Sequence, residues 1–132
     1  MRKKRVILFL LVAFVLFFFY VAVLGRPPRR ISPRVILDLF WSYRHPGSLG
    51  FKGSCLNILC FIPIGIMVGL ISDKYRILKA LIVGLSVSLV VEFSQLIWVK
   101  GVFDVDDLFN NSLGAVIGGL IVVLALKLRN KR

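Results

Sequence analysis

The sequence predicts an all-α membrane protein, a four-transmembrane-helix bundle with a short interfacial helix in its first extracellular loop. The first observation is composition: 132 residues, 58% hydrophobic, with a mean hydropathy of +0.90, far more apolar than a soluble domain. The second is four apolar runs, 6–24, 54–72, 78–99 and 111–128, each close to the roughly 20 helical residues that cross a hydrocarbon core of about 30 Å. The third is their length, which exceeds that of barrel strands; lipid leaves no backbone unpaired, so helices are the spanning element. A single membrane domain over 1–132 follows, with its core at about 54–128, a first helix at 6–24 and a basic interfacial loop at 25–53.

The first helix follows the basic start "MRKKR". Its apolar run is longer than the roughly 7–15 residues of a signal-peptide core and no A-x-A site follows, so it is expected to stay uncleaved. The loop after it carries Arg26, Arg29, Arg30, Arg34, Arg44 and Lys52 against Asp38 alone. Within it, "SPRVILDLFWSY" offers Ser32 as N-cap and Pro33 at the first helical position. Val35, Ile36, Leu39, Phe40 and Tyr43 then share one side, which predicts a short helix lying in the interface with Trp41 at headgroup depth. Singly, these cations fit side chains that snorkel to lipid phosphates; as a cluster, with Arg29, Arg30 and Arg34 at its centre, they fit an anionic ligand. His45 reads as a surface side chain.

On the second helix, Cys55 and Cys60 are five apart, lack metal-ligand spacing and read as buried free thiols. Asn57 lies near the outer end, Pro63 kinks the helix, and Gly65 and Gly69 make a G-x-x-x-G face for close packing. The third helix carries a stripe of small and polar residues, Ala80, Gly84, Ser88, Glu92 and Gln95, at spacings of four and three. Such a stripe faces other helices. An ionised acid in a span costs on the order of 2.5–3.5 kcal/mol on insertion scales, whereas an average interhelical hydrogen bond returns only about 0.6 kcal/mol. Glu92 is therefore a functional candidate.

The third connection, "KGVFDVDDLFNN", opens the fourth helix with Asp104, Asp106 and Asp107. Acids in a first turn suit the positive end of the helix dipole, and Asp106 is assigned that role. Asp107 and Asn111 are i and i+4 on one face, and Asp104 and Asp107 are placed to point toward Glu92. Gly114 and Gly118 form a second G-x-x-x-G face.

Positive-inside counting puts both termini and the 73–77 turn in the cytoplasm, since Arg2 to Arg5, Lys74, Arg76, Lys79, Lys127, Arg129, Lys131 and Arg132 gather at those ends. The carboxylates and the loop arginines then meet on the outer side, which accounts for acids in a chain of net charge +12. Basic charge divided between two membrane faces excludes a nucleic-acid surface. No serine triad, nucleotide-binding glycine loop or haem site is present.

The pattern Asn57-x5-Pro63-x-Gly65, Glu92-x2-Gln95 and Asp104-x2-Asp107-x3-Asn111-x2-Gly114-x3-Gly118 resembles the VanZ-like family of small bacterial membrane proteins, whose founding member is linked to teicoplanin resistance. One position departs from it. The family commonly carries R-x-x-D-x-x-D, and here Gly101 stands at the Arg position with Lys100 beside it. The resemblance implies the bacterial cell membrane and a role at the cell envelope.

Two function classes follow. In the first, Asn57, Glu92, Gln95, Asp104, Asp107 and Asn111 form a polar pocket between helices, and the loop arginines draw an anionic outer-leaflet lipid or a polyprenyl-linked cell-wall precursor, lowering glycopeptide sensitivity. In the second, a membrane enzyme acts on a lipid phosphate or ester, with Glu92 as general acid or base and Asp104 and Asp107 holding a divalent cation; no other cofactor is expected. The glycine faces also allow a packing partner or a homo-oligomer. A transporter fits poorly, because the acids gather at one end without a matching set at the other.

Overall fold

The computed structural model describes residues 2–28 and 35–131. Arg29, Arg30 and Arg34, together with Ser32 and Pro33, lie outside them. Four helices are long and apolar enough to span a membrane: Arg2–Leu24, Leu49–Ile71, Arg76–Ile97 and Val105–Arg129. The protein is a multi-pass membrane protein.

Helix α1 (Arg2–Phe19) runs on into a π-helical turn, Tyr20–Leu24, which closes when the Gly25 amide donates to the Tyr20 carbonyl at 2.7 Å. The interfacial segment is shorter and more mixed than the sequence predicts. Val35–Ile36 form a strand, β1, and the helical part, α2, is the single turn Trp41–Arg44. β1 pairs in parallel with β2 (Phe103–Asp104), so local helix preference yields to a partner strand distant in sequence. The turn between β1 and α2 places Phe40 at a φ of 65°.

Helix α3 (Leu49–Ile71) begins five residues before the apolar run because Ser48 caps it, its Oγ accepting the Phe51 amide at 3.1 Å. Pro63 lies inside it. Arg76, the first residue of α4 (Arg76–Ile97), donates to the Gly69 carbonyl and so satisfies one of the bare acceptors at the end of α3. Lys4 reaches Asp73 in the intervening turn at 2.7 Å, a bond that holds the Asp73 carboxyl below its ordinary range. This pair joins the start of α1 to the α3–α4 turn.

Helix α5 (Val105–Arg129) packs most intimately against α3. A Cβ at Gly65 would run into the Ala115 backbone, one at Gly114 into the Ile58 carbonyl, and one at Gly118 into the Ile62 carbonyl. Both glycine faces are thus consumed by packing within the chain, helix backbone against helix backbone. Phe61 and Ile64 are fully buried beside Ala80 and Ala115, and Phe18 of α1 meets the Phe61 ring edge-on at 5.2 Å. Cys60 is half-buried but Cys55 is exposed, because the tight α3–α5 seam takes the other side of the helix.

Candidate functional site

The striped face of α4 is its buried face: Ala80, Gly84, Ser88, Glu92 and Gln95, joined by Val91. Small residues near the start of α4 let α5 approach, and the polar ones, at the other end, meet the first turns of α5. There Asn111 donates to the Ser88 hydroxyl at 2.8 Å, both side chains being buried. One turn further along, Glu92 is only 2% exposed and accepts the backbone amide of Asp104 at 3.1 Å. It lies in the field of two other carboxylates, Asp107 and Asp104, and of the Arg26 guanidinium.

Asp104 therefore meets Glu92 through its peptide N–H, while its carboxylate caps α5 by accepting the Asp106 amide at 2.9 Å. Burial pushes the Asp104 carboxyl above its ordinary range, against the lowering effect of that amide. Asp107 is half-buried and accepts from the Asn57 side-chain amide at 2.6 Å, which ties α3 to α5 across the site. Gln95 turns the other way: its Nε2 donates to the Ala22 carbonyl, in the π-helical turn of α1, at 3.2 Å.

Asp106 does more than oppose the helix dipole. Buried to 2% exposure, it accepts the amides of Phe40 and Ser42 and, at 2.7 Å, the Ser42 hydroxyl. Ser54 of α3 donates to that same hydroxyl oxygen at 2.9 Å. Tyr43 donates to the Asn110 side-chain oxygen, and Phe40 packs edge-on against Phe109 at 5.1 Å. With the β1–β2 pairing, these contacts strap the first connection over the start of α5. Sequence reasoning assigns Asp106 only a helix-dipole role and Tyr43 only a place on the interfacial helix, and it does not single out Ser42 or Asn110. The legible signal was Asp106 beside the Asp104 cap; its partners lie more than 60 positions away.

Three polar atoms at this end are buried without a partner among the described residues: Asn110 Nδ2, Asn111 Oδ1 and Ser112 Oγ. Ion pairs among those residues are Lys4–Asp73 and Arg44–Asp38, neither of which involves the clustered acids. No three His, Cys, Asp or Glu side chains among them converge as metal ligands. One oxygen of the Asp104 carboxylate serves as the helix cap, and Asp107 accepts from Asn57.

Just past Trp98, the C-cap of α4, Val99 has a φ of 52°, a left-handed conformation usually left to glycine, and this brings the Lys100 and Gly101 amides back to the Gln95 carbonyl. A Cβ at Gly101 would collide with the Gln95 side chain. The family model for VanZ/LLP1 matches residues 5–126. This chain belongs to the VanZ/LLP1 family. The match takes in the first helix and the basic loop as well as the polar positions. Gly101, where the resemblance leads one to expect an arginine, has no side chain and so leaves room for Gln95, while Lys100 donates to the Leu24 carbonyl at 2.9 Å. Searches of curated proteins and of solved structures found no match.

Proposed function

We propose that this VanZ/LLP1 protein sits in the bacterial cell membrane with cytoplasmic termini and lowers sensitivity to a glycopeptide such as teicoplanin by binding or remodelling an anionic outer-leaflet lipid. Peptidoglycan precursors on polyprenyl pyrophosphate carriers are the natural ligands, because glycopeptides act on that pathway outside the membrane. The observation that carries the reading is the cluster itself: Glu92, Asp104 and Asp107 gather at the end of the bundle where the first connection docks, near Asn110 Nδ2 and Asn111 Oδ1, buried polar atoms without a partner among the described residues. A membrane helix retains groups of this cost where they serve a ligand.

The division of labour follows from charge. Carboxylates repel a phosphate, so their part is to hold cations in place, and Arg26 lies within the field of both Glu92 and Asp107. Arg26, with Arg29, Arg30 and Arg34 of the same loop, then takes the phosphate. Asn57 and Asn111 are on the inter-helix side, where amides suit the hydroxyls and amides of a sugar headgroup, while Gln95 supports the site by holding the turn at the end of α1.

The test is drug susceptibility. Expressed in a teicoplanin-sensitive bacterium, the parent protein should raise the inhibitory concentration, and Glu92→Gln, present in the membrane at the same level, should not. Equal protection by the two proteins would remove the polar site from the account.

A further inference from the structure

At the opposite end of the bundle, an open cleft of about 600 Å³ lies between the start of α1 and the α3–α4 turn. Lys4, Arg5, Lys74 and Lys79 line it, against Asp73 as the lone carboxylate, and Leu8 and Ile71 supply an apolar wall. We propose that this cleft is a site for a phosphate group, specifically that of an anionic phospholipid headgroup.

Its construction differs from a random scatter of surface lysines. Lys4 donates to both Asp73 oxygens, at 2.7 and 2.8 Å, so the carboxylate is spent on pinning α1 to the turn and no longer opposes an incoming anion. Arg5, Lys74 and Lys79 have no acid partner within ion-pair distance among the described residues. They come from α1, the turn and α4, so only the folded bundle brings them together. The cleft also lies where three spanning segments end, at Arg2, Ile71 and Arg76, which is headgroup depth. Cations at the rim with Leu8 and Ile71 behind them match a phosphate joined to an acyl chain.

The test uses the full chain in a non-ionic detergent, with thermal unfolding followed while dioctanoyl-phosphatidylglycerol, dioctanoyl-phosphatidylcholine or inorganic phosphate is titrated in. Phosphatidylglycerol should stabilise the parent at concentrations at least about tenfold below those of the other two. The double variant Lys74→Gln/Lys79→Gln should lose that preference. A second pair, Lys127→Gln/Arg129→Gln, removes two cations at the end of α5, outside the cleft, and should keep it. Arg5→Gln serves as the second cleft variant if the double one does not fold. Loss of the preference in both pairs would reduce the effect to diffuse charge and overturn the proposal. Equal potency of inorganic phosphate would overturn the assignment to a lipid. A preference lost in Lys74→Gln/Lys79→Gln but kept in Glu92→Gln belongs to the cleft and not to the outer site, so this outcome is read separately from the function proposed above.

Discussion

Asp106→Ala should undock the first connection from the bundle while leaving the four spans in place. The carboxylate accepts three hydrogen bonds, from the amides of Phe40 and Ser42 and from the Ser42 hydroxyl, and the Ser42 groups are buried. Hydrogen bonds to a charged acceptor contribute about 1.5–3 kcal/mol each, and a buried donor left bare costs about 1–3 kcal/mol. Phe40 is exposed and its amide can turn to water, which discounts one of the three. The remaining two share one side chain, so their effects do not add in full, and about 3 kcal/mol is the expected cost of docking. At 1.4 kcal/mol per factor of ten, that is a rise of about 100-fold in the undocked population. Hydrogen exchange read by mass spectrometry on peptides covering residues 38–48 measures it directly, with peptides from α3 and α5 as internal controls. Unchanged exchange across 38–48 would refute the clamp. Equal acceleration in α3 and α5 would show that Asp106 supports the whole bundle instead of the strap.

Four further substitutions have definite expected outcomes. Gly65→Val forces a branched side chain into the Ala115 backbone and should cost about 3 kcal/mol of stability in detergent. By contrast Gly53→Ala, with nothing within 4 Å of the added carbon, should stabilise by about 0.5–1 kcal/mol; denaturant titration reads both. Val99→Gly relieves a left-handed valine at the end of α4 and should raise the unfolding midpoint, by about 1 kcal/mol at most once the entropy of glycine is counted. Burial raises the Asp104 carboxyl above its ordinary 3.8, so the folded state holds this proton to higher pH than the unfolded chain does. The sign is then fixed: this group's contribution is full below 3.8 and is lost as pH rises through its folded value. Asp104→Asn keeps a competent cap and should flatten that part of the pH–stability curve.

The four spans were legible because each is a long apolar run, and the buried face of α4 because its small and polar residues recur at helical spacing. The α3–α5 seam was announced by two G-x-x-x-G faces, although the sequence leaves open whether they face each other or another chain. The strap was not legible. "SPRVILDLFWSY" reads as an amphipathic helix from local preference, but Val35 and Ile36 find a ladder with Phe103 and Asp104, a pairing that no local pattern encodes. Asp106 was hidden for the same reason: a first-turn acid has a sufficient local explanation, and only the fold reveals the Phe40 and Ser42 amides it receives. Asp104 meets Glu92 through its peptide N–H while its carboxylate caps α5, a distinction that sequence spacing does not carry because it gives proximity without saying whether backbone or side chain makes the contact.

If the carboxylate cluster and the basic first connection serve a polyprenyl-linked lipid, that lipid should stay with the protein through purification. Native mass spectrometry of the detergent-purified protein, with identification of bound lipid, tests it most directly when parent and Glu92→Gln are compared. A polyprenyl phosphate or pyrophosphate should be bound to the parent and lost from the variant. Bulk phospholipid alone on both proteins would contradict it.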